Sequence, residues 1–308
     1  MKCTNCPRQC TTNRFANGTD NRLLGFCNAP AQPEASAICI HHGEEPPISG
    51  QRGICNIFFS HCNLQCIYCQ NRDISRSTLA SDPPFKGIKA IVDRVAEILP
   101  STENIVGFVS PSHYADSIPA IVEELHRRNL FPTTVYNTGG YDSVETLRNL
   151  APYIDIYLPD FKYADPQLAL RYSHAADYPS VALAALHEMY YQKGSALPTD
   201  DNGIAYRGII VRHLVLPGQV QNSIDVLNTL ADLSTSLHIA LMAQYFPPCN
   251  NLPDQLNRTL TPAEYEQVTN HFYSTGLHRG WVQDLEAQAC YRPDFSAPDP
   301  FNPQIQIP

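Results

Sequence analysis

From residue 53 onward this chain alternates short apolar runs with amphipathic segments, and that alternation restricts its fold more than any other feature. Candidate strands are ICNIFFS (54–60), NIVGFVS (104–110), TTVYNT (133–138), DIYLPDF (155–161), GIIVRHLVL (208–216) and HIALMAQYF (238–246). Between them, Ile88, Ile91, Val92, Val95, Ile98 and Leu99 recur at the i, i+3, i+4, i+7 spacing of one helix face, as do Ile118, Ile121, Val122 and Leu125. Further helices are expected at 143–151, 165–193, 222–233 and 261–275. The last opens with Thr261-Pro262-Ala263-Glu264: an N-cap, a proline at the first helical position and an early acid. Six successive strand–helix units imply a parallel sheet in an α/β fold. An open barrel and a doubly wound sheet satisfy this pattern equally, and both gather chemistry at the carboxyl ends of their strands.

Residues 1–50 break the pattern. They hold Cys3, Cys6, Cys10, Cys27 and Cys39 and end in HHGEEPPISG, which reads as a loop. The first four cysteines are spaced C-x2-C-x3-C-x16-C, a set that suits structural zinc or an auxiliary iron–sulfur cluster, or else free thiols in a packed loop. The organisation expected is therefore a Cys-rich segment over 1–50, an α/β domain over 51–290, and a tail over 291–308. Five prolines in RPDFSAPDPFNPQIQIP predict that this tail runs extended over the surface. No run of 18 apolar residues is present, so no membrane span is expected. The start MKCTNCPRQC lacks the apolar stretch of a signal peptide, which predicts a cytoplasmic protein. A net charge of −9 without any Lys/Arg block argues against nucleic-acid binding. Eleven cysteines, an odd number, point in a reducing compartment to metal ligation rather than disulfides.

The stretch FFSHCNLQCIYCQNRD (58–73) carries the chemistry. It sets Cys62, Cys66 and Cys69 in a C-x3-C-x2-C loop directly after the first strand. Structural zinc takes four protein ligands, usually as two separated pairs. Three thiolates on one tight loop, with no fourth nearby, suit a [4Fe–4S] cube with one iron left open. Three unrelated buried thiols within eight residues are a poor alternative.

With Tyr68 just before the third cysteine and six βα units around it, this motif resembles that of the radical S-adenosylmethionine (SAM) superfamily. CNLQCIYCQN, SPSHY, YNTGGYDSVETL, DIYLPDFKYADPQLALRYS, RGIIVRHLVLPG and AQYFP resemble its pyruvate formate-lyase activating enzyme-like branch. That branch also opens with a CxxCPRxC…GxC segment, matched by CTNCPRQC and GFC. The resemblance implies a partial (β/α)6 TIM-type barrel with a Cys-rich N-terminal extension. It further implies that the three thiolates bind a [4Fe–4S] cluster whose fourth iron is chelated by SAM. One electron then cleaves SAM to methionine and a 5′-deoxyadenosyl radical, a reaction that needs a flavodoxin or ferredoxin-type reductant.

The same resemblance assigns SAM contacts at successive strand ends. Ser110 or His113 stands where the activases carry a Gly-Gly-Glu that receives the SAM amino group, and Asn137 where they carry an aspartate. Lys162 is placed to pair with the SAM carboxylate, and Asp160 to accept from the amino group or from Lys162; a strand-end ion pair is the alternative. Arg212 interrupts an apolar strand, and its buried guanidinium requires a partner, either SAM or a nearby Asp. Gln244 and Tyr245 fall where adenine contacts are expected, although core packing also accounts for Tyr245. The function implied is an activase that abstracts a glycine Cα hydrogen from a partner glycyl-radical enzyme. No cysteine lies between Cys69 and residue 248, so the ferredoxin-like insert of many such activases is missing. The alternatives are a radical SAM enzyme acting on a small molecule or another macromolecule, and an iron–sulfur redox sensor, which would have no use for a SAM site.

Overall fold

The computed structural model describes residues 3–10, 14, 25–76, 78–79, 82–289, 292–297 and 299–301. Each apolar run forms a strand, and three strands that the sequence reading missed join them. They are β1 (Glu34–His41), β2 (Ile54–Phe59), β3 (Phe85–Lys86), β4 (Ile105–Val109), β5 (Thr133–Thr138), β6 (Ile156–Pro159), β7 (Gly208–Leu214), β8 (His238–Met242) and β9 (Arg279–Val282). One sheet contains them all, in the order β3-β1-β2-β4-β5-β6-β7-β8-β9.

From β2 through β9 every pairing is parallel, and the strands follow one another in chain order. A doubly wound sheet reverses its strand order at a switch point. The parallel strands β2 and β4 to β9 have no reversal, so their winding is that of a barrel, and the edge strands β3 and β9 leave it open. The partial (β/α) barrel is thus the fold, with β9 as an additional parallel strand.

Helices cover the outer face with the side chains that their periodicity selects. Ile91, Val92 and Val95 of Gly87–Ile98 are buried, as are Ile118, Ile121, Val122 and Leu125 of Ile118–Arg127. Pro262–Ser274 starts in a capping box between Thr261 and Glu264. The single helix expected over 165–193 is in fact two. Pro166–Ser173 ends where His174 turns left-handed (φ 55°), and Tyr178–Lys193 restarts with Pro179 in its first turn. Proline is tolerated there because the first turn has no backbone bond to lose.

Two expected boundaries change. The N-terminal segment does not end at residue 50, because β1 pairs antiparallel with β2 from Ile38↔Ile57 to His41↔Ile54. Over residues 292–297 and 299–301 the C-terminal segment, expected to run extended, turns back on itself, the Asp294 N–H bonding to the Pro300 carbonyl at 3.0 Å. Its Phe295 and Phe301 lie 5.7 and 5.0 Å from Phe58, and Phe301 lies 4.3 Å from His41, ring centre to ring centre. Apolar rings this large are more stable packed on the barrel than in water. Residues 291, 298 and 302–308 of that expectation lie outside the described residues. Among the described residues no helix is long and apolar enough to cross a membrane.

Strand alternation divides the barrel interior into layers. Ile54, Ile105, Val135, Ile156, Ile210 and Ala240 cluster with Ile48 of the helical turn Pro46–Ser49, forming an apolar floor. Two residues further along β2, β5 and β7 stand Asn56, Asn137 and Arg212, because side chains on a strand return to the same face every second residue. Gly107 occupies the equivalent place on β4; a Cβ there would stand 2.0 Å from Asn56 Oδ1. The polar layer therefore depends on that glycine.

Candidate active site at the carboxyl end of the barrel

A cavity of about 200 Å3 opens above the polar layer. Cys62, Cys66, Tyr68 and Cys69 reach it from the loop after β2, and Ser110 from the end of β4. Asn137, Asp160 with Lys162, Arg212 and Gln244 reach it from β5, β6, β7 and the end of β8. Three residues on the loops into this site, His61 (φ 69°), Gln65 (φ 52°) and Ser110 (φ 54°), are left-handed without being glycine. Such backbone costs about 1–3 kcal/mol per residue and gathers at functional sites.

Each cysteine sulfur receives at least one hydrogen bond. Ser173 Oγ donates to Cys66 Sγ at 2.9 Å, Ser75 Oγ to Cys69 Sγ at 3.3 Å, and the Leu64 N–H to Cys62 Sγ at 3.4 Å. The Tyr68, Tyr163 and Ser173 hydroxyls stand in line, Tyr68 and Tyr163 at 2.7 Å and Tyr163 and Ser173 at 2.7 Å, so a buried chain of three hydroxyls, each passing its proton on toward the sulfur, ends on Cys66. Burial pushes the Cys62 thiol up to about 12 and raises Cys69, with Cys66 adding to both. These thiols stay protonated at neutral pH and give up their protons only to a metal. Among the described residues, no three His, Cys, Asp or Glu side chains stand closely enough to hold a metal ion as they are. The case for a cluster therefore rests on the donor set: three cysteines on one cavity, each with a polar hydrogen pointed at its sulfur, and no fourth cysteine in the lining.

Opposite the thiols lies a closed polar ring. Arg212 Nε donates to Asp160 Oδ1 at 2.8 Å, Nη2 to Asn137 Oδ1 at 2.6 Å, and Nη1 to Glu44 Oε2 at 3.1 Å. Asn137 and Asn56 both donate to Glu44 Oε1, at 3.1 and 2.8 Å. Lys162 Nζ donates to Asp160 Oδ2 at 2.5 Å. Burial raises the Asp160 carboxyl, but Arg212 and then Lys162 outweigh it and hold it below the usual carboxylate range. Burial likewise lowers Lys162, and Asp160 outweighs it. Asp160, Lys162 and Arg212 therefore stay ionised.

Ten of the residues singled out in the sequence line this one cavity; His113 does not. It is buried, and its Nε2 bonds to the Ser60 carbonyl at 2.7 Å. The turn at 112–117 directs the ring into the protein, beside the N-terminal cysteines, so the SAM contact expected of it is corrected. Tyr245 is also core: its hydroxyl donates to the Leu256 carbonyl at 2.6 Å. Gln244 joins β8 to the cysteine loop, its carbonyl accepting from Gln70 Nε2 at 2.8 Å. Sequence reasoning missed Glu44. The sole signal for it was Arg212, which required a buried acid without indicating which one.

No protein-family model matches the chain. An uncharacterized protein of Methanocaldococcus jannaschii, MJ0674, is 26% identical over 274 residues, covering 86% of this chain and 72% of that protein. Among solved structures, Streptococcus suis SuiB bound to S-adenosylmethionine aligns with 74% of this chain and 49% of its own, at 12% identity and a TM-score of 0.45. Methylornithine synthase (PylB) aligns with 74% of this chain and 63% of its own, at 14% identity and a TM-score of 0.46. The chain thus spans about half the length of SuiB. At these levels neither structure assigns a residue here, and the site rests on its own geometry.

Proposed function

We propose that this protein is a radical SAM enzyme. The observation that carries the reading is the meeting of the C-x3-C-x2-C thiols and the Asp160–Lys162–Arg212 ring on one cavity at the carboxyl end of an open barrel. Cys62, Cys66 and Cys69 would hold a [4Fe–4S] cluster, and the ring would take the amino acid end of SAM. That pair supplies a one-electron reductive cleavage of the C5′–S bond, giving methionine and a 5′-deoxyadenosyl radical that abstracts hydrogen. Lys162 keeps donors beyond the one on Asp160, and these suit the SAM carboxylate. Asp160 and Glu44 are acceptors for its amino group. Phe58 and Phe301 on the cavity wall keep water from a radical.

A flavodoxin or ferredoxin-type protein is the reductant in this reading, and a reducing cytoplasm its compartment, consistent with ten described cysteines that are all free thiols. The sequence motifs favour a glycyl Cα–H of a partner enzyme as the target. One observation favours a small substrate instead: Pro293 and Phe301 of the C-terminal segment form part of the wall and narrow the way in. Anaerobic reconstitution with iron and sulfide, reduction, and incubation with SAM test the core proposal. A cluster signal that changes on adding SAM, with release of 5′-deoxyadenosine, is expected. A fully clustered protein that neither perturbs its signal with SAM nor cleaves it would end the reading.

A further inference from the structure

A second cavity lies below the cysteine loop. Cys3, Cys6, Cys10 and Cys27 all line it, together with Arg8, Arg14, Asn63 and His113. Its volume is about 10 Å3, room for a single water-sized occupant. Two tight turns build its walls. The Gln9 N–H bonds to the Cys6 carbonyl at 3.2 Å with Gln9 left-handed (φ 44°), and the Asn28 N–H bonds to the Gly25 carbonyl at 2.8 Å with Asn28 left-handed (φ 58°). These turns aim backbone N–H groups at sulfur: Arg8 at Cys6, Ala29 at Cys27, and Phe26 at Cys10, the last at 3.4 Å. The buried guanidinium of Arg14 stands near Cys27. Burial raises both thiols, Cys6 to about 12, and the N–H donors and Arg14 oppose it, the direction in which a bound metal also acts.

We propose that Cys3, Cys6, Cys10 and Cys27 bind one tetrahedral divalent ion of the zinc class, and that this site braces the loop carrying Cys62, Cys66 and Cys69. Four sulfurs are the full ligand set of a closed structural zinc site. The volume decides against a second cluster, since a cube of four irons and four sulfides is far larger than one water. All four cysteines line the space, yet no three of them stand closely enough to hold an ion as they are, so binding would draw them inward to zinc–sulfur bonds of about 2.3 Å.

The brace is direct. Arg8 Nε donates to the Asn63 carbonyl at 2.9 Å, Nη2 to the Ser173 carbonyl at 3.0 Å, and Nη1 to the His174 carbonyl. Gln65 Nε2 donates to the Phe26 carbonyl at 2.7 Å. Asn63 and Gln65 lie between Cys62 and Cys66, and Ser173 is the residue whose hydroxyl reaches Cys66. The N-terminal turns therefore grip both the loop and the hydroxyl behind it.

The test uses the full chain with Cys62, Cys66 and Cys69 all changed to Ala, so that any metal belongs to the second site. One zinc per chain is expected by elemental analysis, falling to none in the same protein with Cys6→Ser and Cys27→Ser added. The triple variant stripped by a chelator and refilled with cobalt(II) should show thiolate-to-cobalt charge transfer and strong tetrahedral d–d absorption, with a circular dichroism spectrum matching that of the wild type. Hydrogen exchange at residues 62–70 of the triple variant should speed up at least tenfold on chelation and recover with zinc. Iron and sulfide in the triple variant, no metal at all, or weak octahedral cobalt bands would overturn the site. Exchange at 62–70 unchanged by chelation would overturn the brace.

Discussion

Replacing Lys162 with methionine separates cofactor binding from folding, because the two roles of its ammonium differ in size and in assay. The side chain is 18% exposed and pairs with Asp160, whose other oxygen is held by Arg212 at 2.8 Å. Lys162→Met therefore leaves Asp160 paired. The apoprotein should lose the worth of a charged hydrogen bond, about 1.5–3 kcal/mol, and not the roughly 3–5 kcal/mol of an orphaned buried charge. In the loaded site the same ammonium faces the SAM carboxylate. Losing that charge-assisted bond, again about 1.5–3 kcal/mol, should weaken SAM about 10- to 150-fold. Urea unfolding of the apoprotein reads the first effect, and isothermal titration of the reconstituted protein with SAM reads the second. Arg212→Met is the contrast, since it strips Glu44 of its cation and should cost the larger sum in the apoprotein. Wild-type affinity for SAM in Lys162→Met would remove Lys162 from the cofactor site and reduce the ring to a structural element.

Cys66→Ala should abolish the cluster signal and SAM cleavage after reconstitution; a variant that retains a full complement of iron and still cleaves SAM would refute the ligand assignment. Gly140→Ala should destabilise the protein by about 1–3 kcal/mol in urea, because Gly140 has φ 80° and an added Cβ would stand 2.3 Å from the Asp160 carbonyl oxygen. Burial pushes buried His213 down to about 4, against the pull of the Phe161 carbonyl. Between its ordinary value near 6.5 and 4 the unfolded chain takes up a proton that the fold refuses, so this stability is complete above pH 6.5 and lost as pH falls toward 4. Relative to wild type, His213→Gln should flatten the acid slope by up to about 1.4 kcal/mol per pH unit, and parallel curves would refute it.

The barrel strands and the cysteine loop were legible because their signals are local. A run such as NIVGFVS carries its own period and length, and C-x3-C-x2-C carries its own ligand count. Arg212 was legible as a charge interrupting an apolar strand, and the structure sets it and Asn137 two residues beyond a floor residue of their strands. What escaped depends on contacts distant in sequence. β3 is two residues long and exists only by pairing with β1, and β1 reads as part of a cysteine-rich loop until β2 is set beside it. His113 looked like a strand-end polar residue, yet the turn that follows β4 carries it inward to Ser60. The break at His174 had a signal in Pro179, which cannot sit in the interior of one long helix.

Glu44 shows what the N-terminal segment contributes to the barrel. Because β1 runs antiparallel to β2, it delivers the chain to the amino end of β2 at the His41↔Ile54 pair. From there the segment turns under the barrel: Ile48 fills the floor, and Glu44 rises to meet Asn56, Asn137 and Arg212. The ring then holds two cations, Lys162 and Arg212, against two anions, Asp160 and Glu44, so it is neutral without any ligand. The adjacent Glu45 has a buried carboxyl oxygen with no hydrogen-bond partner, and burial pushes it up to about 7, against the pull of Arg212. A third carboxylate finds no third cation, and so it holds its proton through mildly acidic pH. In the proposed role, the zwitterionic end of SAM adds one positive and one negative charge and leaves this balance unchanged, so the amino acid end is positioned without a net charge being buried.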